Sequence, residues 1–209
     1  MVQFNANGSY QVSLSSTNAI GTDAEVKAAY INVTNALTPS VSASTSTTTI
    51  CAGSTVSFTS SNTNGGTSPN YQWKVNGVNV GSNSSTYSSS SLTNNDIVTL
   101  EMTSSESCVT SSTVQSSGIT MTVVPLPSIT INTGTGTMVC VGDVLPLQAT
   151  VNNHGFAGQG VWSGTGVVGS DFVATAAIAG WHTLTYTYTT NQSSCVSSST
   201  ISLMVLVVP

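Results

Sequence analysis

The sequence contains no arginine and only two lysines, Lys27 and Lys74, among 209 residues. With seven acids the formal net charge is -5, and charged side chains make up 4% of the chain, against about 25% in an average globular protein. Binding along a phosphate backbone needs a lysine- or arginine-rich surface, so a nucleic-acid partner is excluded. No apolar run reaches the roughly 18 residues that a membrane-spanning helix needs. Cysteine occurs four times and histidine twice, with no CxxC and no His or Cys pair at metal-ligand spacing, which argues against a structural zinc site. Met1-Val-Gln-Phe-Asn carries neither a basic region nor an apolar core, so no leader is visible. The expectation is a segment of a longer secreted protein, or a mature form trimmed of its leader.

What the chain has in quantity is hydroxyl. Ser supplies 36 residues and Thr 33, while 39% of the chain is hydrophobic, too much for a disordered composition. Cys51, Cys108, Cys140 and Cys195 are even in number, and two disulfides are expected, with four buried free thiols as the alternative. Disulfides place the protein outside the cytosol, secreted or on a cell surface.

The chain also repeats itself. Cys51, Trp73 and Cys108 recur as Cys140, Trp162 and Cys195, with the same Cys-to-Trp spacing of 22 in each copy. Pro39-Ser40-Val41 and Pro127-Ser128-Ile129 open the copies; Val123-Val124-Pro125 and Val207-Val208-Pro209 close them. Three segments follow: 1–37, which does not fit the repeat, then 38–125 and 126–209. Pro125-Leu126-Pro127 predicts a stiff joint. Within the repeats, short alternating runs are punctuated by turn signals, among them Asn76-Gly77 between Tyr71–Val75 and Val78–Val80. Leu184, Tyr186 and Tyr188 alternate with threonines. Seven or eight short strands per repeat predict an all-β fold of tandem immunoglobulin-like β-sandwiches. Residues 1–37 read as two strands, Gly8 to Ser15 and Glu25 to Thr34, joined near Gly21-Thr22-Asp23. A lone pair buries too little to stand by itself.

The duplicated indoles, Trp73 and Trp162, are expected in the cores with Phe58, Leu184 and Tyr186. Each repeat is expected to carry its own cystine, pinning one end of its sandwich across a loop of about 55 residues. In the last strand alternation fails: Met204, Leu206 and Val208 lie among other apolar residues, and a contact with a following domain or a partner subunit is expected there. Trp181 and Tyr71 are candidate glycan-stacking residues. Glu101 and Glu106 are too isolated to make a glycosidase pair, no GxSxG occurs, and the glycine-rich Ser163–Gly166 lacks a phosphate-binding lysine. Asp23 with Glu25, and Asn94-Asn95-Asp96, offer oxygen ligands for calcium at a domain junction; no other cofactor is indicated. Sequons at Asn7, Asn32, Asn83 and Asn191 are expected by chance in so hydroxyl-rich a chain.

Cys51-Ala-Gly-Ser-Thr-Val-Ser-Phe, Tyr71-Gln-Trp-Lys-Val-Asn-Gly, Leu92-Thr-Asn-Asn-Asp-Ile-Val and Met102-Thr-Ser-Ser-Glu-Ser-Cys108 resemble the Ig-like repeats of large secreted surface proteins of Bacteroidota. Gly160-Val-Trp-Ser-Gly-Thr-Gly, Ala179-Gly-Trp-His-Thr-Leu-Thr-Tyr and Cys195 are similar to a sister type in the same proteins. Gly8–Leu14 with Tyr30–Val33 resembles the closing strands of a PKD domain. The resemblance implies a partial PKD-like strand pair ahead of the two sandwiches. It implies a non-enzymatic stalk or spacer in a gliding-type adhesin or in type IX secretion cargo, serving adhesion or filament building. The implied partners are other domains of one long chain, identical subunits in a fibre, or surface glycans. A carbohydrate-binding module and an accessory spacer of a secreted hydrolase are the alternatives.

Overall fold

The computed structural model describes every residue except Met1, Thr133, Thr135, Ala176, Ala177, Val208 and Pro209. Among the described residues the regular structure is strand throughout, with no α-helix. Two compact units emerge. The first comprises residues 1–44, 59–87 and 99–118; the second comprises 45–58, 88–98 and 119–209.

In the first unit, β1 (Gly8–Asn18) and β2 (Gly21–Val33) form a two-stranded antiparallel hairpin. Pairing runs from Gly8↔Val33 to Asn18↔Gly21, so the turn lies at Ala19-Ile20 and not at 21–23 as the glycine suggested. The Asn18 side chain explains the shift: its Oδ1 accepts hydrogen bonds from the amides of Ile20 and Gly21, the local capping that favours asparagine in turns. The same unit holds β6 (Asn70–Val75), β7 (Val78–Val80), β10 (Thr113–Gln115) and most of β9 (Ile97–Thr103), in the order β10-β9-β6-β7. Asn76 and Gly77 both have positive φ, 51° and 80°, as a type I′ turn requires. Trp73 on β6 is fully buried; its Nε1 donates to the Ser84 carbonyl at 3.0 Å, and Tyr87 stacks on its ring. Leu100 and Met102 are buried too.

In the second unit, β14 (Met138–Cys140), β21 (Val196–Leu206), β20 (Gly180–Thr190) and β17 (Gly158–Ser163) form one sheet in that order. Facing strands come from β13 (Ser128–Asn132) paired with β16 (Gln148–Asn152), and from β15 (Val144–Pro146), β19 (Asp171–Val173) and β18 (Val167–Val168). Between them lies one apolar cluster: Val139, Leu145, Leu147, Trp162, Phe172, Ala174, Leu184, Leu203 and Val205, with Tyr186 packed against it. Each large member contributes about 1.5–3 kcal/mol by leaving water. Pro146 sits where the β15–β16 run breaks, since it has no amide to give to a ladder. Gly160 makes room for aromatic packing from the neighbouring strand. A Cβ there would fall on the Tyr186 ring, which lies against Trp162 at 4.9 Å. The first repeat has Tyr71 at the matching place, and there the ring stacked on the tryptophan is that of Tyr87.

Also in this unit are β4 (Thr49–Cys51) and β12 (Thr122–Val124), paired parallel, with β11 (Ile119–Thr120) beside the first residues of β9. Phe58 at the start of β5 (Val56–Thr63) is fully buried. The first repeat closes in two pieces, β11 and β12, whereas the second closes with the single strand β21. The first cysteine of each repeat ends a three-residue strand.

Trp162→Ala is expected to cost about 3–5 kcal/mol, a large-to-small change in a closed core. Gly160→Ala is expected to cost about 1–3 kcal/mol by pushing Tyr186 off its neighbour. Urea denaturation of each variant measures both.

Candidate functional site

The cysteines do not pair within their own repeats. The structure joins Cys51 to Cys195, 144 residues apart in sequence, with Cα atoms 5.6 Å apart. Cys108 and Cys140 are exposed free thiols. This corrects the expectation of one cystine per repeat. The bond links the first cysteine of one repeat to the second cysteine of the next, and both lie in the second unit.

Backbone pairing fixes the position of Cys51. Cys51 stands opposite Val124 in the parallel β4–β12 pair, the Ala52 amide donates to the Val124 carbonyl, and the Ser54 amide donates to the Cys51 carbonyl. Cys195 sits in the turn between β20 and β21 and is 1% exposed. Thr190, itself buried, holds that turn: its Oγ1 donates to the Gln192 carbonyl at 2.7 Å and accepts from the Cys195 amide at 3.0 Å.

The outer face of the β14-β21-β20 sheet carries a second feature. Met138 and Trp181 both stand opposite Met204, so the three side chains share a face and form a row across three strands. Met138 and Trp181 are 65% and 67% exposed. Two residues along, Leu206 stands opposite Cys140 on the same face. Leu203 and Val205 point inward and are buried, so β21 is apolar on both sides because one side is core and the other an exposed stripe. Val208 lies outside the described residues. The β1–β2 hairpin exposes a further apolar set, including Leu14, Ile20, Val26 and Tyr30. Val12 and Leu14 stand opposite Lys27 and Glu25, which form an ion pair at 3.8 Å.

The remaining candidates occupy ordinary structural places. Tyr71 is half-buried, and its hydroxyl accepts from Asn62 Nδ2 at 2.7 Å. Glu101 takes a 2.9 Å ion pair from Lys74. Glu106, from the same early pairing, lies in the loop after β9, its amide donating to Ser104 Oγ. The calcium candidates Asn94 and Asp96 use their oxygens on the backbone: Asn94 Oδ1 accepts from Val123, and Asp96 Oδ2 from Thr93 at 2.7 Å. Asp23 and Glu25 lie on the exposed hairpin. His154 sits in a turn with φ of 51°, and the His182 ring contacts the Ile178 carbonyl. Among the described residues no cluster of three His, Cys, Asp or Glu side chains is placed to hold a metal.

No family model matches the chain, and no curated protein does. Among solved structures it is similar to the N-terminal eight Ig domains of Down syndrome cell adhesion molecule, at 15% identity and a TM-score of 0.51, covering 97% of this chain and 28% of that one. It is also similar to three N-terminal domains of the bacteriophage RB49 highly immunogenic outer capsid protein, at 15% identity and a TM-score of 0.39, covering 80% and 59%. A third similarity is to the fibronectin(III)-like modules of Clostridium thermocellum CbhA, at 13% identity and a TM-score of 0.38, covering 79% and 94%. The chain thus spans less than two thirds of the first and second of these proteins. The first likeness establishes the fold, an all-β sandwich of immunoglobulin type. No helix among the described residues is long and apolar enough to cross a membrane.

The pairing was hidden from the sequence because spacing shows equivalence between cysteines and says nothing of which partners meet. Closing a loop of 144 residues removes about 5 kcal/mol of unfolded-state freedom in the chain-entropy model. The Cys51→Ser, Cys195→Ser double variant is expected to lose stability on that scale. Thr190→Val is expected to lose about 1–3 kcal/mol, by stranding the Cys195 amide and the Gln192 carbonyl. Equilibrium unfolding with and without reductant tests both.

Proposed function

We propose that the chain is a non-enzymatic structural segment of an extracellular surface adhesin or fibre, on a bacterial cell surface of the Bacteroidota type. It provides serial β-sandwich modules, 38–125 and 126–209, in a chain that bridges a cell and its surroundings, with tension carried through the bond that ties the modules together. The observation that carries this reading is the Cys51–Cys195 bond, which fastens one repeat to the next. A covalent tie of that span does little for a catalyst and a great deal for a chain under tension. Exposed apolar strands at both ends, the β1–β2 hairpin and the Met138–Met204–Trp181 row, support joining to other domains or to identical subunits.

One observation favours a second reading. Trp181 is exposed, as a sugar-stacking platform must be. Its flanking methionines supply apolar contact and no hydrogen-bonding groups for sugar hydroxyls, which favours a protein partner. Glycan binding abolished by Trp181→Ala is the result that would move the reading to a carbohydrate-binding module.

Pulling the chain by its two ends tests the mechanical role. Under oxidising conditions the segment between Cys51 and Cys195 is expected to stay out of the force path. Reductant should then release 144 residues, roughly 500 Å at about 3.3–3.6 Å per residue. Full extension of the oxidised chain would remove this reading.

A further inference from the structure

The two free thiols are the unmatched halves of the bond already made. Cys140 is built as Cys51 is. Each ends a three-residue strand that pairs parallel with the closing strand of its repeat, Cys51 opposite Val124 and Cys140 opposite Leu206. In each case the next amide donates to that opposite residue's carbonyl at 2.9 Å: Ala52 to Val124, and Val141 to Leu206. In each case the amide three residues on donates back to the cysteine carbonyl: Ser54 to Cys51, and Asp143 to Cys140. Cys108, like Cys195, lies in the connection that follows its repeat's long strand, after β9 and β20 respectively.

The difference between the two places is cover. Val124, beside the bonded Cys51, is fully buried, and the bonded Cys195 is 1% exposed. Leu206, beside the free Cys140, is 38% exposed, and both free thiols are open to solvent. A site that is occupied and largely covered in the first repeat is present and uncovered in the second. Residues 1–37 contain no cysteine that could serve Cys108.

We propose that a second copy of this chain supplies the missing partners: Cys140 of one copy bonds Cys108 of the next, continuing the pattern first cysteine of one repeat to second cysteine of the following repeat. The incoming Cys108 turn covers Leu206 and lies beside the Met204–Trp181 row, as the Cys195 turn accompanies a buried Val124. The two cysteines come from different places on the chain, so a bond from each copy to the next runs head-to-tail and propagates as a filament; two reciprocal bonds between the same two copies would instead close a dimer and stop the ladder there, which overturns the filament. In chemical terms, two thiols become one disulfide, and the two electrons and two protons pass to a disulfide-bearing oxidant that leaves as two thiols. The proposal rests on the structural reading above and names the partner and the bond for it.

The test uses the full chain and its Cys108→Ser and Cys140→Ser variants, each incubated with oxidised glutathione. Wild type is expected to give a ladder on a non-reducing gel that collapses with reductant. Mass spectrometry of mixed light- and heavy-nitrogen chains should find Cys108 joined to Cys140 across copies. Each variant alone should lose the ladder. An equimolar mixture of the two variants should yield a dimer and stop there, because only one complementary pair remains. Cys108 and Cys140 still fully alkylatable after oxidation, Cys108–Cys108 and Cys140–Cys140 bonds as abundant as the mixed one, or a Cys108–Cys140 bond within one copy would each overturn the proposal. The pulling experiment repeated on the Cys108→Ser, Cys140→Ser double variant reads the Cys51–Cys195 tie by itself. A lost ladder with the 144-residue segment still withheld therefore removes the filament bond and leaves the structural reading standing.

Discussion

Much of this molecule depends on a pairing only three residues long. β4 runs parallel to β12, and β14 to β21. Each brief ladder sets a cysteine at the edge of a sheet with its neighbours' amides already committed. Parallel pairing needs a long crossover between its two strands, and here the crossover is the body of the repeat itself. The cysteine is therefore positioned only once its repeat has folded. A bond made from that position records a completed module.

Cohesion elsewhere comes from two sources of different character. Inside, Trp162, Phe172, Leu184 and Leu203 fill the space between sheets. Outside, where most proteins place ions, this chain pairs hydroxyls across strands: Ser40 with Thr63, Ser44 with Thr59, Ser57 with Ser88, and Thr103 with Thr113. Such pairs contribute roughly 0.2–1 kcal/mol each. They also satisfy polar groups at the surface without the side-chain freedom that lysine and glutamate must give up. The Lys74–Glu101 pair is the closer of the two ion pairs found among the described residues.

Several parts of this architecture are legible in the sequence for physical reasons. Asn76-Gly77 can hardly be other than a hairpin turn, because both positions take the left-handed backbone that these residues tolerate. Alternation along Leu184, Tyr186 and Tyr188 marks a strand with one face inward. The equal Cys-to-Trp spacing announces a duplicated fold. Other features escape such reading. Thr49-Ile-Cys51 and Met138-Val-Cys140 are too short to show a period. The hairpin turn at Ala19-Ile20 is set by a side-chain oxygen of Asn18 and by no glycine. The apolar β21 gives the same signal for core and stripe alike, and only the ladder separates Leu203 and Val205 from Met204 and Leu206. The choice of cysteine partners depends on how distant segments meet, which local patterns do not encode.

The hydroxyl ladders have an environmental consequence. Serine and threonine carry no charge at any pH a cell encounters, and dissolved salt has no field of theirs to screen. A sheet laced in this way holds together equally in dilute and saline water, and in mildly acid or alkaline surroundings. For the extracellular segment proposed above, set where no cytoplasm regulates the medium, that indifference is a form of weatherproofing.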